Sequence, residues 1–138
     1  MSRTEVWEYL HDGTVSCVRG EMPGEVIVTV EIPYLRSRFP GSGEAFELLL
    51  HNCTQFEFEP YDGPLVSTIP ALSKLGLEVL SLSSEEPIGV NCSGGTLALQ
   101  YEAVSIQLDS GEAVTLAELD AANLAYWDEW ETRRGGTT

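Results

Sequence analysis

The chain has 138 residues, 43% of them hydrophobic, and its 22 acidic and 7 basic side chains give a net charge of −15. This length fits one domain with a substantial core, and the hydrophobic share excludes a disordered acidic tail. The negative charge repels the phosphates of nucleic acids and anionic membranes, and it attracts cationic partners.

The first elements along the chain are predicted to be strands joined by tight turns. Residues 5–10 and 14–19 flank the sequence His-Asp-Gly, which is typical of a β-hairpin whose Gly13 takes a positive φ. Polar and apolar side chains then alternate over residues 25–34. This period of two predicts a half-buried strand that ends at Pro33 or lies at an edge of the sheet.

The middle of the chain is predicted to be a loop followed by two more strands. Residues 35–44 combine Gly, Pro and Ser with Arg36 and Arg38, a composition typical of a loop. Residues 45–53 and 54–60 are predicted to be strands, and the second should turn its phenylalanines inward and its glutamates toward solvent.

A short helix and several further strands are predicted next. Residues 66–75 fit a helix with Pro70 in its first turn, where a missing N–H costs nothing. Residues 77–83 are a strand candidate, and the Ser-Gly-Gly at 93–95 is expected to join two strands as a hairpin. The alternation continues through residues 103–108.

The last predicted element is a C-terminal helix. Thr115 followed by Glu118 fits a capping box, in which each side chain satisfies a backbone N–H at the helix start. The stripe on one face of this helix comprises Leu116, Leu119, Asn123, Tyr126, Trp127 and Trp130. The pattern predicts an α+β, strand-dominated fold: a curled antiparallel sheet or sandwich with the amphipathic helix packed on it. We expect one domain over residues 1–132 and a disordered tail over residues 133–138.

The N-terminus and the cysteines favour a soluble, cytoplasmic protein. The chain shows no cationic start followed by an apolar run, and no apolar run of membrane-spanning length. Cys17, Cys53 and Cys92 are an odd number, widely spaced, and no CxxC pair is present for zinc. We therefore expect free and mostly buried thiols.

The adjacent His11 and Asp12 are the first candidate for chemistry. A His–Asp pair binds divalent metals in hydrolases that supply further His and Asp ligands. In this chain His51 is the only other histidine. The pair is therefore interpreted as part of a turn. We expect neither a metal site nor a bound cofactor.

His51 and Cys53 are the second candidate. On a regular strand, residues two apart share a face, so the imidazole and the thiol should lie side by side. Catalysis by such a pair requires a stabilised thiolate, but no cationic residue neighbours Cys53 in sequence. An inert thiol is the favoured interpretation, and no catalytic residue is predicted.

The candidate binding site is the aromatic and acidic stretch of the C-terminal helix. It comprises Tyr126, Trp127, Asp128, Glu129, Trp130 and Glu131. One interpretation is that the aromatic rings anchor the helix to the sheet. The other is that one ring stays exposed within an acidic rim, an arrangement that suits a basic protein partner.

Four sequence features carry a resemblance to a known group of proteins. They are the opening "WEYLHDG", the "YLR" after a long strand, the "LHNC" strand and the terminal "YWDEW" helix. Together they resemble small acidic bacterial proteins of unassigned function, including immunity-type proteins of toxin systems. The resemblance implies a protein that binds another protein and does no chemistry, and it transfers no catalytic residue.

Three functional hypotheses follow. The first is a non-catalytic acidic binding protein, of immunity type, that neutralises a basic toxin or nuclease. The second is a small-ligand binding domain with an apolar pocket in the sheet lined by Phe46, Phe56, Phe58 and Tyr101. The third is a cryptic hydrolase that uses His11 or His51.

Overall fold

The computed structural model describes the backbone of residues 4–135, and the side chains of the same residues except Trp130 and residues 132–135. Nine strands and four helices lie within this part of the chain. The strands are β1 (Thr14–Gly20), β2 (Gly24–Glu31), β3 (Ala45–Cys53), β4 (Gln55–Pro60), β5 (Val79–Glu85), β6 (Ile88–Cys92), β7 (Gly95–Gln100), β8 (Ala103–Leu108) and β9 (Ala113–Val114). The helices are α1 (Glu5–Tyr9), α2 (Pro33–Arg36), α3 (Ile69–Ser73) and α4 (Leu116–Gly135).

The strands form two antiparallel sheets that share one hydrophobic core. The larger sheet has the order β1-β2-β3-β8-β9, and the smaller has the order β4-β7-β6-β5. Buried side chains from both sheets and from α1, α2 and α4 belong to a single cluster. The α+β, strand-dominated fold class predicted from the sequence is therefore confirmed.

The alternating segments adopt the predicted strands. In β2 the side chains of Val26, Val28 and Val30 are all buried, and the strand ends two residues before Pro33. Both phenylalanines of β4 point into the core. The helix around Pro70 and the hairpin at residues 93–95 are also present. The strands follow the local hydrophobic period, and the helix and the hairpin follow the proline and glycine signals.

The predicted β-hairpin at the N-terminus is wrong. Residues 5–9 form α1, so the His-Asp-Gly turn connects a helix to β1. The apolar residues Val6, Trp7 and Leu10 fit one face of a helical turn, and all three are completely buried. The indole N–H of Trp7 also donates to the hydroxyl of Tyr101 at 3.0 Å. Burial of this large aromatic side chain outweighs the weak strand preference of a six-residue segment.

The positive backbone φ of the turn lies at a different residue from the predicted one. Asp12 has the positive φ, at 71°, and Gly13 does not. A Cβ on Gly13 would lie 2.5 Å from Cγ1 of Val30 and 2.9 Å from the carbonyl oxygen of Leu10. Gly13 is therefore required for close packing rather than for its backbone conformation.

The predicted loop over residues 35–44 is not entirely a loop, because its first two residues belong to α2. Pro33 occupies the N-terminal turn of this helix, where its ring is favoured. Arg36, predicted in a loop, belongs to α2 and is completely buried. The remainder of the segment wraps around its guanidinium.

Helix α4 begins with the predicted capping box. The backbone N–H of Glu118 donates to Oγ1 of Thr115 at 3.1 Å, and the N–H of Thr115 donates to Oε1 of Glu118 at 3.0 Å. The helix packs against α1 and α2, which contact β5 and β3 respectively. It extends to Gly135, so residues 133–135 of the expected tail are helical, and residues 136–138 lie outside the described residues. Across residues 4–135, no helix combines the length and apolarity needed to cross a membrane.

Candidate functional site

An aromatic patch forms where α4 meets α2 and the turn after α1. We define it as His11, Tyr34, Tyr126 and Trp127. The rings of Tyr34 and Tyr126 lie 4.4 Å apart between centroids. The Trp127 indole stacks almost parallel to the His11 imidazole at 6.2 Å, and it meets Tyr126 edge-on at 5.1 Å. The patch therefore joins three segments that are distant in sequence.

The two aromatic residues of α4 have different environments. Tyr126 is half-buried between Tyr34 and Trp127 and anchors the helix. Trp127 is 37% exposed, and its indole N–H donates to Oδ1 of Asn123 at 3.2 Å. Tyr126 thus anchors the helix to Tyr34 of α2, where the sequence interpretation had it anchored to the sheet, and Trp127 is a partly exposed ring. The side chain of Trp130 lies outside the described residues.

Several exposed acidic side chains belong to the segments that form the aromatic patch. Asp128, Glu129 and Glu131 on α4 are exposed, as is Asp12 in the neighbouring turn. Glu129 forms an ion pair with Arg38, whose guanidinium lies 5.8 Å above the Tyr126 ring. Arg38 therefore offsets part of the charge of Glu129.

The pKa of the Tyr34 phenol reflects the burial and the negative charge around the patch. Burial and the nearby Asp12 and Tyr126 raise the pKa of Tyr34 to about 12. Its hydroxyl donates to the carbonyl oxygen of His11 at 3.3 Å. The phenol stays neutral because a phenolate there would be both desolvated and repelled.

Tyr9 shows the same negative environment on the α1 side. Burial raises the pKa of Tyr9 above its ordinary value, and Asp120 raises it further by its charge and by a hydrogen bond. Smaller contributions come from the charges of Glu5 and Glu8. The surface shared by α1 and α4 thus has a negative potential.

The His11–Asp12 pair is part of the turn. His11 Nδ1–H donates to the carbonyl oxygen of Glu8 at 2.8 Å, and Nε2 lies 3.9 Å from Oδ2 of Asp12. Where side chains are described, no three His, Cys, Asp or Glu residues are positioned to hold a metal ion. The imidazole instead supports the exposed Trp127 ring.

His51 and Cys53 do not share a face, which corrects the sequence prediction. Asn52 between them has a φ of 51°, so the regular alternation of the strand is broken there. Cys53 is buried and its thiol donates to the carbonyl oxygen of Gln55 at 3.4 Å. Burial raises the pKa of Cys53, despite the opposing effect of this hydrogen bond.

The imidazole of His51 lies on the outer face of the larger sheet, between two polar neighbours. Its Nε2 lies 2.7 Å from Oγ of Ser105 on β8. Its Nδ1 lies 3.2 Å from Oε2 of Glu25 on β2. The sequence analysis identified His51 but neither partner, because only the strand order β2-β3-β8 brings residues 25, 51 and 105 together.

The four aromatic residues expected to line a pocket pack into the hydrophobic core. Phe46, Phe56, Phe58 and Tyr101 are each at most 4% exposed. One cavity of about 420 Å³ lies at the surface beside β4, and of these four only Phe56 lines it. Another of about 260 Å³ lies at the edge of β8, beside Ser105.

Two groups of candidate side chains are thus present on the described surface. One is the aromatic patch with its acidic neighbours, and the other is Glu25, His51 and Ser105. Comparisons of the chain with models of protein families, with curated proteins and with solved structures find no match.

Proposed function

We propose that this protein binds a basic protein partner through the aromatic patch and the acidic side chains around it. The observation that carries this proposal is the exposed indole of Trp127 beside exposed Asp128 and Asp12. An apolar ring within an acidic rim matches a partner surface that presents Lys or Arg around an apolar contact. This surface binds without making or breaking bonds.

Trp127 is suited to be the central contact. Its orientation is set by the His11 ring on one side and by the hydrogen bond to Asn123. A side chain held in place before binding loses little conformational entropy on association. Its ring face also attracts cations, so Lys or Arg of the partner gains from both the indole and the carboxylates.

The net charge supports the same partner class. A charge of −15 on 138 residues accelerates encounter with cationic proteins and slows encounter with anionic ones. The resemblance to immunity-type proteins of toxin systems suggests the specific form of the proposal. In that form the partner is a basic toxin or nuclease domain, which the bound protein neutralises.

The test measures association with a panel of small basic proteins that includes nuclease domains. We expect W127A to weaken binding to the true partner by about 30-fold or more, as for a central interface tryptophan. Tyr61, in the turn after β4, is 76% exposed and supplies the matched aromatic control. Y61A should leave affinity within about threefold of wild type, because Tyr61 lies outside α4 and outside the aromatic patch.

A second pair of variants separates the effect of charges at the patch from the effect of the protein's overall negative charge. D128N/E131Q and E59Q/D62N each remove two exposed carboxylates, but only the first pair adjoins Trp127. We expect the first to slow association more at about 50 mM salt, and the difference to shrink at about 500 mM. Equal effects of the two pairs, or binding unchanged by W127A, would contradict the proposal.

A further inference from the structure

Glu25, His51 and Ser105 lie in a row across three adjacent strands, joined by one hydrogen bond and one ion-pair contact. The Glu25 carboxylate, 3.2 Å from Nδ1, repels a lone pair on that nitrogen, which favours the imidazole proton on Nδ1. Nε2 is then free to accept the hydroxyl proton of Ser105, 2.7 Å away. Hydroxyl, imidazole and carboxylate thus follow one another in the order used by a serine nucleophile, its base and the group that positions the base.

A cavity adjoins Ser105 of this row. It measures about 260 Å³ and is lined by Val104, Ser105, Ile106 and residues 113–116. Its lining is mostly apolar, and its volume suits only a small acyl group. The row therefore lies beside a cavity large enough for a small substrate. A purely structural group of surface polar contacts needs no such cavity.

The free edge of β8 adds a backbone donor to this cavity. Asp109 N–H donates to Ala45 on β3, whereas Leu108 N–H donates to Glu112 on the other side. Alternation along the strand then directs the peptide N–H of Val104 to the same side as Leu108. Strand β9 ends at Val114, opposite Ile106, so the Val104 N–H faces the cavity edge beyond the last strand pair. Such an N–H stabilises an oxyanion that forms beside it.

We propose that this row is a second, esterase-type site, with small carboxylic esters bearing an apolar acyl group as substrates. The Oγ of Ser105 attacks the ester carbonyl carbon while His51 Nε2 takes its proton. The C–O bond to the alcohol breaks, and the leaving alcohol takes that proton. Water then attacks the acyl-serine through the same base, releasing the acid and restoring Ser105. Glu25 is a positioning residue that holds the ring.

Solvent exposure sets the expected strength of this activity. The side chains of His51 and Glu25 are 35% and 50% exposed, so water screens their interaction. We expect slow turnover, and we expect E25Q to lower kcat by about tenfold or less with KM unchanged. E25D, which keeps the carboxylate, should retain more of the activity than E25Q.

The experiment combines ester hydrolysis with covalent labelling of the folded protein. With p-nitrophenyl acetate and butyrate, S105A and H51A should both fall to the rate of buffer. A fluorophosphonate should add one phosphonyl group, located at Ser105 by peptide mass spectrometry, and H51A should abolish the labelling. The matched controls are S16A and S110A, which change exposed serines outside the row and should leave both readouts unchanged.

Two results would overturn the proposal. Hydrolysis by S105A at the wild-type rate would show that a histidine attacks the ester directly, without a serine nucleophile. Absence of label at Ser105 under excess fluorophosphonate would show that the row is a structural set of hydrogen bonds. Circular dichroism of each variant separates either result from loss of folding, and failure of this site leaves the binding proposal untouched.

Discussion

The completely buried guanidinium of Arg36 lies with its Nε 2.8 Å from Oδ1 of Asp109, at the end of β8. The other carboxylate oxygen accepts from the backbone N–H groups of Glu44 and Ala45 at 2.9 and 3.1 Å. The guanidinium also donates to the carbonyl oxygen of Ser42 at 3.2 Å. This ion pair fastens the segment after α2 to the larger sheet, and that segment carries Arg38 to the aromatic patch.

We expect D109N to destabilise the protein strongly. The amide is similar in shape, but it leaves the Arg36 charge buried without a counter-charge, which costs about 3 kcal/mol of unfolding free energy. Urea denaturation followed by circular dichroism measures this loss. D62N removes an exposed aspartate and should change stability by less than about 0.5 kcal/mol. Equal stability of D109N and wild type would show that Arg36 is solvated in the folded state.

The same pair predicts a dependence on acid. Burial alone would raise the pKa of Asp109, but hydrogen bonds from Arg36, Glu44 and Ala45 and the Arg36 charge lower it overall. A lowered folded-state pKa contributes stability above the unfolded value, about 3.9, and this is lost as pH falls through the folded value. The stability difference between wild type and D109N should therefore shrink below about pH 4. A difference that stays constant with pH would contradict the lowered pKa.

Features set by neighbouring residues were predictable from the sequence, and features set by distant contacts were not. The capping box of Thr115 and Glu118 and the alternation over residues 25–34 involve only residues close in sequence. The first segment was assigned to a strand because six residues fit either period. What decides the helix is the burial of Trp7 against Tyr101, 94 positions away.

The candidate sites divide in the same way. The surface around Trp127 is predictable because its aromatic and acidic residues are consecutive on one helix. The contact between Trp127 and His11 is not, because it depends on the packing of α4 beside α1. The neighbours of His51 depend on the pairing of three strands, which no local pattern specifies. Ser105 lies in an ordinary alternating strand and carries no signal of its own.

Substitutions at residues 12 and 13 separate the two reasons for a glycine in a turn, which are a positive φ and close packing. G13A should destabilise by about 1–3 kcal/mol, because the added methyl group overlaps Val30 and the Leu10 carbonyl. D12G should be neutral or stabilise by up to about 1 kcal/mol, because Asp12 bears the positive φ. Thermal unfolding of both variants checks this. A tolerated G13A together with a destabilising D12G would reverse the assignment.

The three thiols should differ sharply in reactivity. Burial raises the pKa of Cys92 to about 12, and it also raises that of Cys53, whereas Cys17 on β1 is half-buried. Because the thiolate is the reacting form, iodoacetamide at about pH 8 should modify Cys17 first in the folded protein. Peptide mass spectrometry over time identifies the order of modification.

Modification of Cys92 should instead report unfolding of the whole core. If Cys92 reacts only from the unfolded state, its rate follows the equilibrium unfolded fraction whenever refolding outpaces alkylation. D109N, with about 3 kcal/mol less stability, should then speed modification of Cys92 by about 100-fold and leave Cys17 nearly unchanged. D62N should change neither rate. Rapid labelling of Cys92 in the wild type would mean that the strand pair β6–β7 opens without unfolding of the core to which Cys92 belongs.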